Sequence, residues 1–159
     1  MTPAILYLEQ HRVEFELLSY EHQDSNQHYA DEASQKLGLP PEQVFKTLVV
    51  ECQFNAKTDY AVAILPSSNK LSMKKLAKQI GAKKTQMADA KKVQNMSGYV
   101  LGGVSPFAQK RPLDTVVDIS AMNFDEIYVS AGKRGLEIKI AGAQLQALLN
   151  ASVIDICAD

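Results

Sequence analysis

Cysteine is scarce in this 159-residue chain. Cys52 and Cys157 are the only two, too few and too far apart for a disulfide framework or a Cys-x-x-Cys metal site. Each is read as a free thiol. Long apolar runs are missing as well: the longest, Tyr60 to Leu65, spans six residues, against the roughly 20 that a membrane-crossing helix needs. No membrane span is expected. The three histidines, His11, His22 and His28, include no pair at the i,i+4 spacing with which one helix face grips a metal. No metal site and no cofactor are expected. There is no Gly-x-Gly-x-x-Gly or Gly-x-x-x-x-Gly-Lys-Ser/Thr pattern for nucleotide phosphates and no Gly-x-Ser-x-Gly elbow for a serine hydrolase. The first residues, Met1-Thr2-Pro3-Ala4-Ile5, lack the basic start and apolar stretch of a secretory signal, so a cytoplasmic location is expected. With 46% hydrophobic residues, residues 1–159 suffice for one domain with its own core.

Charge is nearly balanced overall, at −1, but it is unevenly spread. Eight lysines fall between Lys70 and Lys92 against the single acid Asp89, a local charge of +7, while the rest of the chain carries −8. Such polarity suits a polyanionic partner, through charge complementarity and counterion release. It equally describes a solvated lysine face.

Thr2-Pro3 reads as a helix start, a cap followed by a first-turn proline. Val13, Phe15 and Leu17 then alternate as in a half-buried strand ending near Tyr20, and Glu21 to Gln27 is polar loop. A helix from His28 stops at Gly38, and a short turn follows at Pro40-Pro41-Glu42. Val44 to Val50 and Tyr60 to Leu65 read as a strand pair joined by a polar turn, hence an antiparallel hairpin. Ser72 caps a helix ended by Gly81, with the lysines on its polar face, and a second short helix follows Asp89. Further strands are expected at Thr115 to Ile119, Glu126 to Ser130, Leu136 to Ile140 and Ser152 to Ile156, with a helix at Ala141 to Leu149. The fold class is mixed α/β, a largely antiparallel central sheet or barrel surrounded by helices.

Lys46 lies on a strand among Phe45, Thr47 and Leu48. Its stem can cover apolar surface while the ammonium reaches water. Pointed into a pocket, it is instead a fixed positive charge for the oxyanion formed when an ester is attacked. Gly102 and Gly103, within Gly98 to Phe107, either form a bulge or bring backbone N–H groups close to a ligand. Ser130 ends a strand before the turn Gly132-Lys133-Arg134-Gly135. That segment is either an exposed hairpin turn or a pocket hydroxyl with two cations near a phosphate. Tyr20 and Tyr29 are core residues or aromatic pocket walls.

Phe45-Lys46-Thr47-Leu48-Val49, Gly98 to Pro106 and Tyr128 to Leu136 together resemble the three signature regions of the YbaK family. Asn26-Gln27-His28-Tyr29, Asp31-Glu32-Ala33 and Met87-Ala88-Asp89 extend the resemblance over nearly the whole chain. That family is similar to the editing domain of bacterial prolyl-tRNA synthetases, and members with these motifs chiefly clear cysteine from proline tRNA. The resemblance implies a deacylase of mischarged Cys-tRNA(Pro), with Lys46 as the central active-site lysine. Gly102 and Gly103 would be the backbone holding the aminoacyl ester, and Ser130 a polar pocket group. Tyr20 and Tyr29 would line the pocket, and Lys133 and Arg134 would meet substrate. It also implies that no protein nucleophile takes part: the substrate's thiol attacks its own ester to give a thiolactone. Lys74, Lys75, Lys78, Lys83 and Lys84 would meet tRNA phosphates, and prolyl-tRNA synthetase is a further expected partner. The competing expectation is a binding module of the same fold that engages tRNA or the synthetase without turnover.

Overall fold

The computed structural model describes residues 1–23 and 28–159; Asn26 and Gln27 of the first motif lie outside the described residues. Helix α1 (Pro3–Gln10) begins where Thr2 Oγ1 accepts the Ile5 N–H at 3.3 Å and itself donates to Ala131 O at 2.5 Å. One residue thus caps the helix and ties it to a strand 129 positions away. Strand β1 (Glu16–Ser19) is shorter than the alternation from Val13 suggests. Helix α2 (Tyr29–Leu37) ends at the left-handed Gly38.

The expected hairpin is present. β2 (Phe45–Gln53) and β3 (Thr58–Pro66) pair antiparallel from Phe45↔Pro66 to Gln53↔Thr58. Helix α3 (Met73–Ile80) is capped by Ser72, whose Oγ accepts the Lys75 N–H at 3.1 Å. β4 (Lys84–Met87), which the sequence pattern does not announce, pairs antiparallel with the end of β2. Helix α4 (Ala90–Ser97) starts at Asp89, whose carboxylate accepts the Lys92 N–H. Then come β5 (Asp114–Asp118), a 3-10 turn (Ile119–Asn123), β6 (Glu126–Lys133), β7 (Leu136–Ala141), α5 (Gly142–Leu149) and β8 (Ser152–Ile154).

The strands form two sheets, β1-β7-β6 and β4-β2-β3-β5-β8. Pairing is antiparallel except at β3–β5 and β5–β8. The main core lies between the sheets: Phe45, Val49, Val62, Ile64 and Val117 from one pack with Ile127, Val129, Ile138 and Ile140 from the other. A second cluster fills the opposite face of the larger sheet, where Val50, Cys52, Ala63 and Leu65 meet Leu76 of α3. Both faces of β3 are therefore covered, which explains why Tyr60 to Leu65 reads as an unbroken apolar run rather than an alternation. Burying Leu76 completely contributes roughly 1.5–3 kcal/mol and sets α3 against the sheet. Among the described residues, no helix is long and apolar enough to cross a membrane.

Candidate active site

The site arises where two strands share one edge of β2. At its start Val44 makes an isolated parallel bridge to Tyr128 of β6, and from Val50 onward β4 takes over. Between them, at residues 46–48, no strand among the described residues pairs with that edge. Alternate residues of an antiparallel strand turn their peptide groups to opposite sides. The Ser67 N–H to Val44 O bond directs the even-numbered residues toward β3, and the Ala88 N–H to Val49 O bond directs the odd-numbered ones the other way. Thr47 thus offers its N–H and C=O to the gap.

A cavity of about 280 Å³ opens there. Its walls are β2 from Phe45 to Val49, the start of α2 with His28, Tyr29 and Asp31, and Met87 and Ala88 at the end of β4. Leu101, Gly102 and Val104 come from the loop after α4, and Ser130 and Glu137 from the β6–β7 pair. Lys46, Tyr29, Gly102 and Ser130, far apart in sequence, are brought to this one cavity.

Each has a local reason for its place. Lys46 is half-buried, and burial holds its ammonium below the usual lysine range, with the Asp31 carboxylate pulling the other way. Gly102 adopts φ +84°, and a Cβ there would overlap the Tyr29 ring. Glycine is required for both reasons. The Arg134 guanidinium lies 4.9 Å from the Tyr29 ring centroid, and its Nε donates to Leu101 O at 2.7 Å. Arg134 therefore fastens the Leu101-Gly102 loop over Tyr29, stacking as cations do on aromatic faces. Ser130 Oγ accepts the Gly132 N–H at 3.1 Å at the irregularity where β6 leaves register with β7.

Other expected residues fall elsewhere. Gly103 does not line the cavity, and its N–H donates to Val100 O at 2.9 Å. It is committed to a turn rather than to an ester. A Cβ at Gly103 would stand 3.0 Å from Lys133 Cα, so this glycine lets the loop pack on the β6–β7 turn. Tyr20 is not a wall either: it packs with Ala33, Val44 and Tyr128 behind the cavity. Burial, then the charges of Glu137 and Glu32, pushes its hydroxyl up to about 12. Lys133 is exposed and outside the lining.

Among the lysines assigned to phosphates, Lys74, Lys78, Lys83 and Lys84 are exposed. Lys75 is not available, because its Nζ donates to Asp155 at 2.8 Å, Cys157 O at 2.8 Å and Asp159 at 3.2 Å. It anchors the C-terminal segment to α3.

The sequence reading missed Glu137 and Thr47. Glu137 is 7% exposed, and its Oε2 and the Thr47 Oγ1 are both buried without a hydrogen-bond partner. Burial pushes the Glu137 carboxyl up to about 8. Glu32, one residue beyond the cavity-lining Asp31, is also buried but fully engaged. It accepts His22 Nδ1 at 2.6 Å and the Gln23 N–H at 3.0 Å. Burial works to raise its carboxyl, and these bonds outweigh that, holding it below the ordinary value. They tie the segment after β1 to α2.

Neither thiol lines the cavity. Burial raises Cys52 to about 11 and, with the Asp118 charge, Cys157 to about 12, far from a reactive thiolate. Asp118, Asp155 and Cys157 bring three donor atoms within 4.8 Å, but Asp118 already accepts Ser120 and Ile156, and Asp155 holds Lys75.

Residues 24–148 match the family described as the aminoacyl-tRNA editing domain. The chain belongs to that family. It is accordingly an enzyme of translation that edits aminoacyl-tRNA. It is 36% identical over 156 residues to EbsC of Enterococcus faecalis, covering 98% of this chain and 92% of that protein. EbsC is named, provisionally, a Cys-tRNA(Pro)/Cys-tRNA(Cys) deacylase. A shorter match, 31% over 88 residues, covers 55% of this chain and 53% of the Escherichia coli multifunctional Ser/Thr-tRNA deacylase ProXp-y. A solved structure described provisionally as a trans-editing enzyme for prolyl tRNA synthetase superposes with a TM-score of 0.81 at 21% identity, over 100% of this chain and 99% of that one. The last likeness establishes the editing-domain fold.

Proposed function

We propose that this editing enzyme removes cysteine from mischarged Cys-tRNA(Pro), with the substrate's own thiol as the nucleophile. The observation that carries the reading is the cavity's chemistry. It places a half-buried lysine ammonium beside a strand edge with which no described strand pairs, and no cysteine is among its lining residues. Such a site can hold an ester and stabilise an oxyanion, and in this reading the attacking atom is the substrate's own sulfur. The near full-length likeness to EbsC supports cysteine as the acyl group.

In this reading Lys46 faces the carbonyl oxygen, where negative charge grows as the ester is attacked. Gly102 and the Thr47 backbone position the ester, with Tyr29 as a wall held by Arg134. Because a tight fit alone discriminates small amino acids by only about 10–200-fold, a reaction that requires a thiol adds chemical selection. The likeness to ProXp-y over half the chain favours a second reading, in which serine or threonine esters are cleaved by water. Proline tRNA charged separately with cysteine, alanine and serine separates the two. Rapid loss of the cysteinyl ester alone supports the first, and comparable loss of the seryl ester supports the second.

β4 supplies a route for the tRNA. Lys83 and Lys84 stand exposed at its start, and Met87 at its end borders the cavity. Lys91 and Lys92 on α4 and Lys74 and Lys78 on α3 are exposed as well. Binding of proline tRNA is expected to weaken steeply with salt. The K83E/K84E double variant should bind less tightly and flatten the log–log salt slope by roughly two, about one per lost phosphate contact. An unchanged slope in fluorescence anisotropy would move the tRNA to another face. Adding prolyl-tRNA synthetase to the same titration tests whether the synthetase joins the complex.

A further inference from the structure

The geometry points to Glu137 as the group that takes the proton from the substrate thiol as its sulfur attacks the ester. This rests on the cysteine reading above. Glu137 stands in β7 opposite Ser130 of β6 and Leu18 of β1. It is the buried acid of the cavity wall, since the other acid there, Asp31, is exposed. A buried carboxyl oxygen without a partner is costly, and in native structures such groups are few and call for an explanation. Here a second orphan, Thr47 Oγ1, borders the same cavity. Thr47 on β2 and Glu137 on β7 thus bring two such side chains to the walls of one cavity, where an entering ligand would complete their hydrogen bonding.

The groups around Glu137 decide what it can do. Tyr20 stands close enough behind it to feel its charge, with Glu32 acting on the same hydroxyl. Ser130 and Thr47 line the same cavity, and Lys46, Asp31, His28 and Tyr29 are its other charged or titratable side chains among the described residues. Burial alone lifts the Glu137 carboxyl to about 8. That is close to the ordinary thiol value of about 8.5. Proton transfer between two groups so matched is nearly level in energy, the condition under which a general base works best.

The step balances. The Glu137 carboxylate accepts the S–H proton, and the thiolate's electron pair forms the C–S bond. The ester C–O bond then breaks, the departing ribose oxygen takes a proton from water at the cavity mouth, and Glu137 later returns its own proton to solvent. The products are a cysteine thiolactone and uncharged tRNA. No oxidant or further reactant is required.

Single-turnover deacylation of Cys-tRNA(Pro) by wild type, Glu137→Gln and Glu137→Asp, from pH 6 to pH 9.5, tests the assignment. Glu137→Gln should slow the chemical step about 10²–10⁴-fold, with substrate affinity within about threefold of wild type. The wild-type rate should rise with pH and level off near the carboxyl's own value of about 8, whereas the residual rate of Glu137→Gln should follow the ordinary thiol value of about 8.5. Glu137→Asp, which keeps the base but shortens its reach, should recover part of the rate. Weaker binding with an unchanged chemical step would overturn the assignment in favour of a binding role. An unaltered rate and pH profile in Glu137→Gln would overturn it outright. If wild type itself leaves Cys-tRNA(Pro) intact, the cysteine reading falls and Glu137 falls with it; an active wild type with an equally active Glu137→Gln rejects the proton acceptor alone.

Discussion

Replacing Lys46 with alanine should reduce cysteinyl-ester cleavage about 10²–10³-fold, the loss seen when one oxyanion-stabilising donor is removed, while the protein stays folded. The argument starts from position. Lys46 is half-buried on the stretch of β2 that is paired with β3 alone among the described strands, and burial already disfavours its charged form. A cation kept there works against its own solvation, so removing it costs the fold little, with stability expected to change by less than about 1 kcal/mol. In an oxyanion-stabilising role its absence is felt when charge develops on the carbonyl oxygen. Rapid-quench kinetics should therefore show a lower rate of chemistry with little change in substrate affinity. A variant that melts early, or one that binds poorly yet reacts at the wild-type rate, would assign Lys46 to structure or to binding instead.

The second large effect concerns stability and has the opposite sign to its effect on activity. Glu137 binds its proton up to about pH 8 when folded, whereas in the unfolded chain it releases it near the ordinary carboxyl value of 4.5. Between those values the folded state carries more protons than the unfolded state, so stability declines as pH rises through this window and levels off above about 8. At pH 7 the buried carboxyl costs the fold roughly 3 kcal/mol at about 1.4 kcal/mol per pH unit, given a shift from 4.5 to about 8. Glu137→Gln, which does not titrate, should be more stable than wild type at neutral pH by up to that amount, with the advantage shrinking toward pH 4. Urea unfolding at pH 4.5, 7 and 8.5 measures it. A gain in stability with a loss of activity is what a strained functional group gives; a loss of both would make Glu137 a structural residue. Glu32 contributes in the other direction, since its carboxyl is held below the ordinary value by His22 and Gln23. Its stabilisation is present above the unfolded value and is lost as pH falls through the lower, folded one.

Much of the fold is legible in the sequence wherever local chemistry and periodicity agree. Thr2, Ser72 and Asp89 cap the helices that follow them, Gly38 and Gly81 end theirs in the left-handed conformation, and β2 and β3 form the expected antiparallel hairpin. β4 escapes notice because Lys84-Thr85-Gln86-Met87 is polar at most positions. Only Thr85 of the four is buried, and pairing with β2 rather than propensity makes the strand. The site is legible where residue type carries meaning on its own. Lys46 among apolar neighbours and the glycine at 102 stand out from the pattern, and both border the cavity.

Glu137 does not stand out. In the alternation Leu136-Glu137-Ile138-Lys139-Ile140 it reads as a solvent-facing strand residue. Tyr20 approaches it from behind, and only the tertiary arrangement buries it. The same limit explains Gly103 and Lys75. Adjacent glycines look alike in sequence, but hydrogen bonding commits one of them to a turn, and a C-terminal acidic segment 80 or more residues away claims one lysine out of a uniform run.

The central claim is that a cavity without a thiol of its own lets the substrate's thiol break the ester. Mass spectrometry of the first product released from Cys-tRNA(Pro) in a single turnover tests it most directly. Cysteine thiolactone appearing before free cysteine, and in step with uncharged tRNA, is the expected result. Free cysteine as the first product, with no thiolactone at any time point, would contradict the account and return the attack to water.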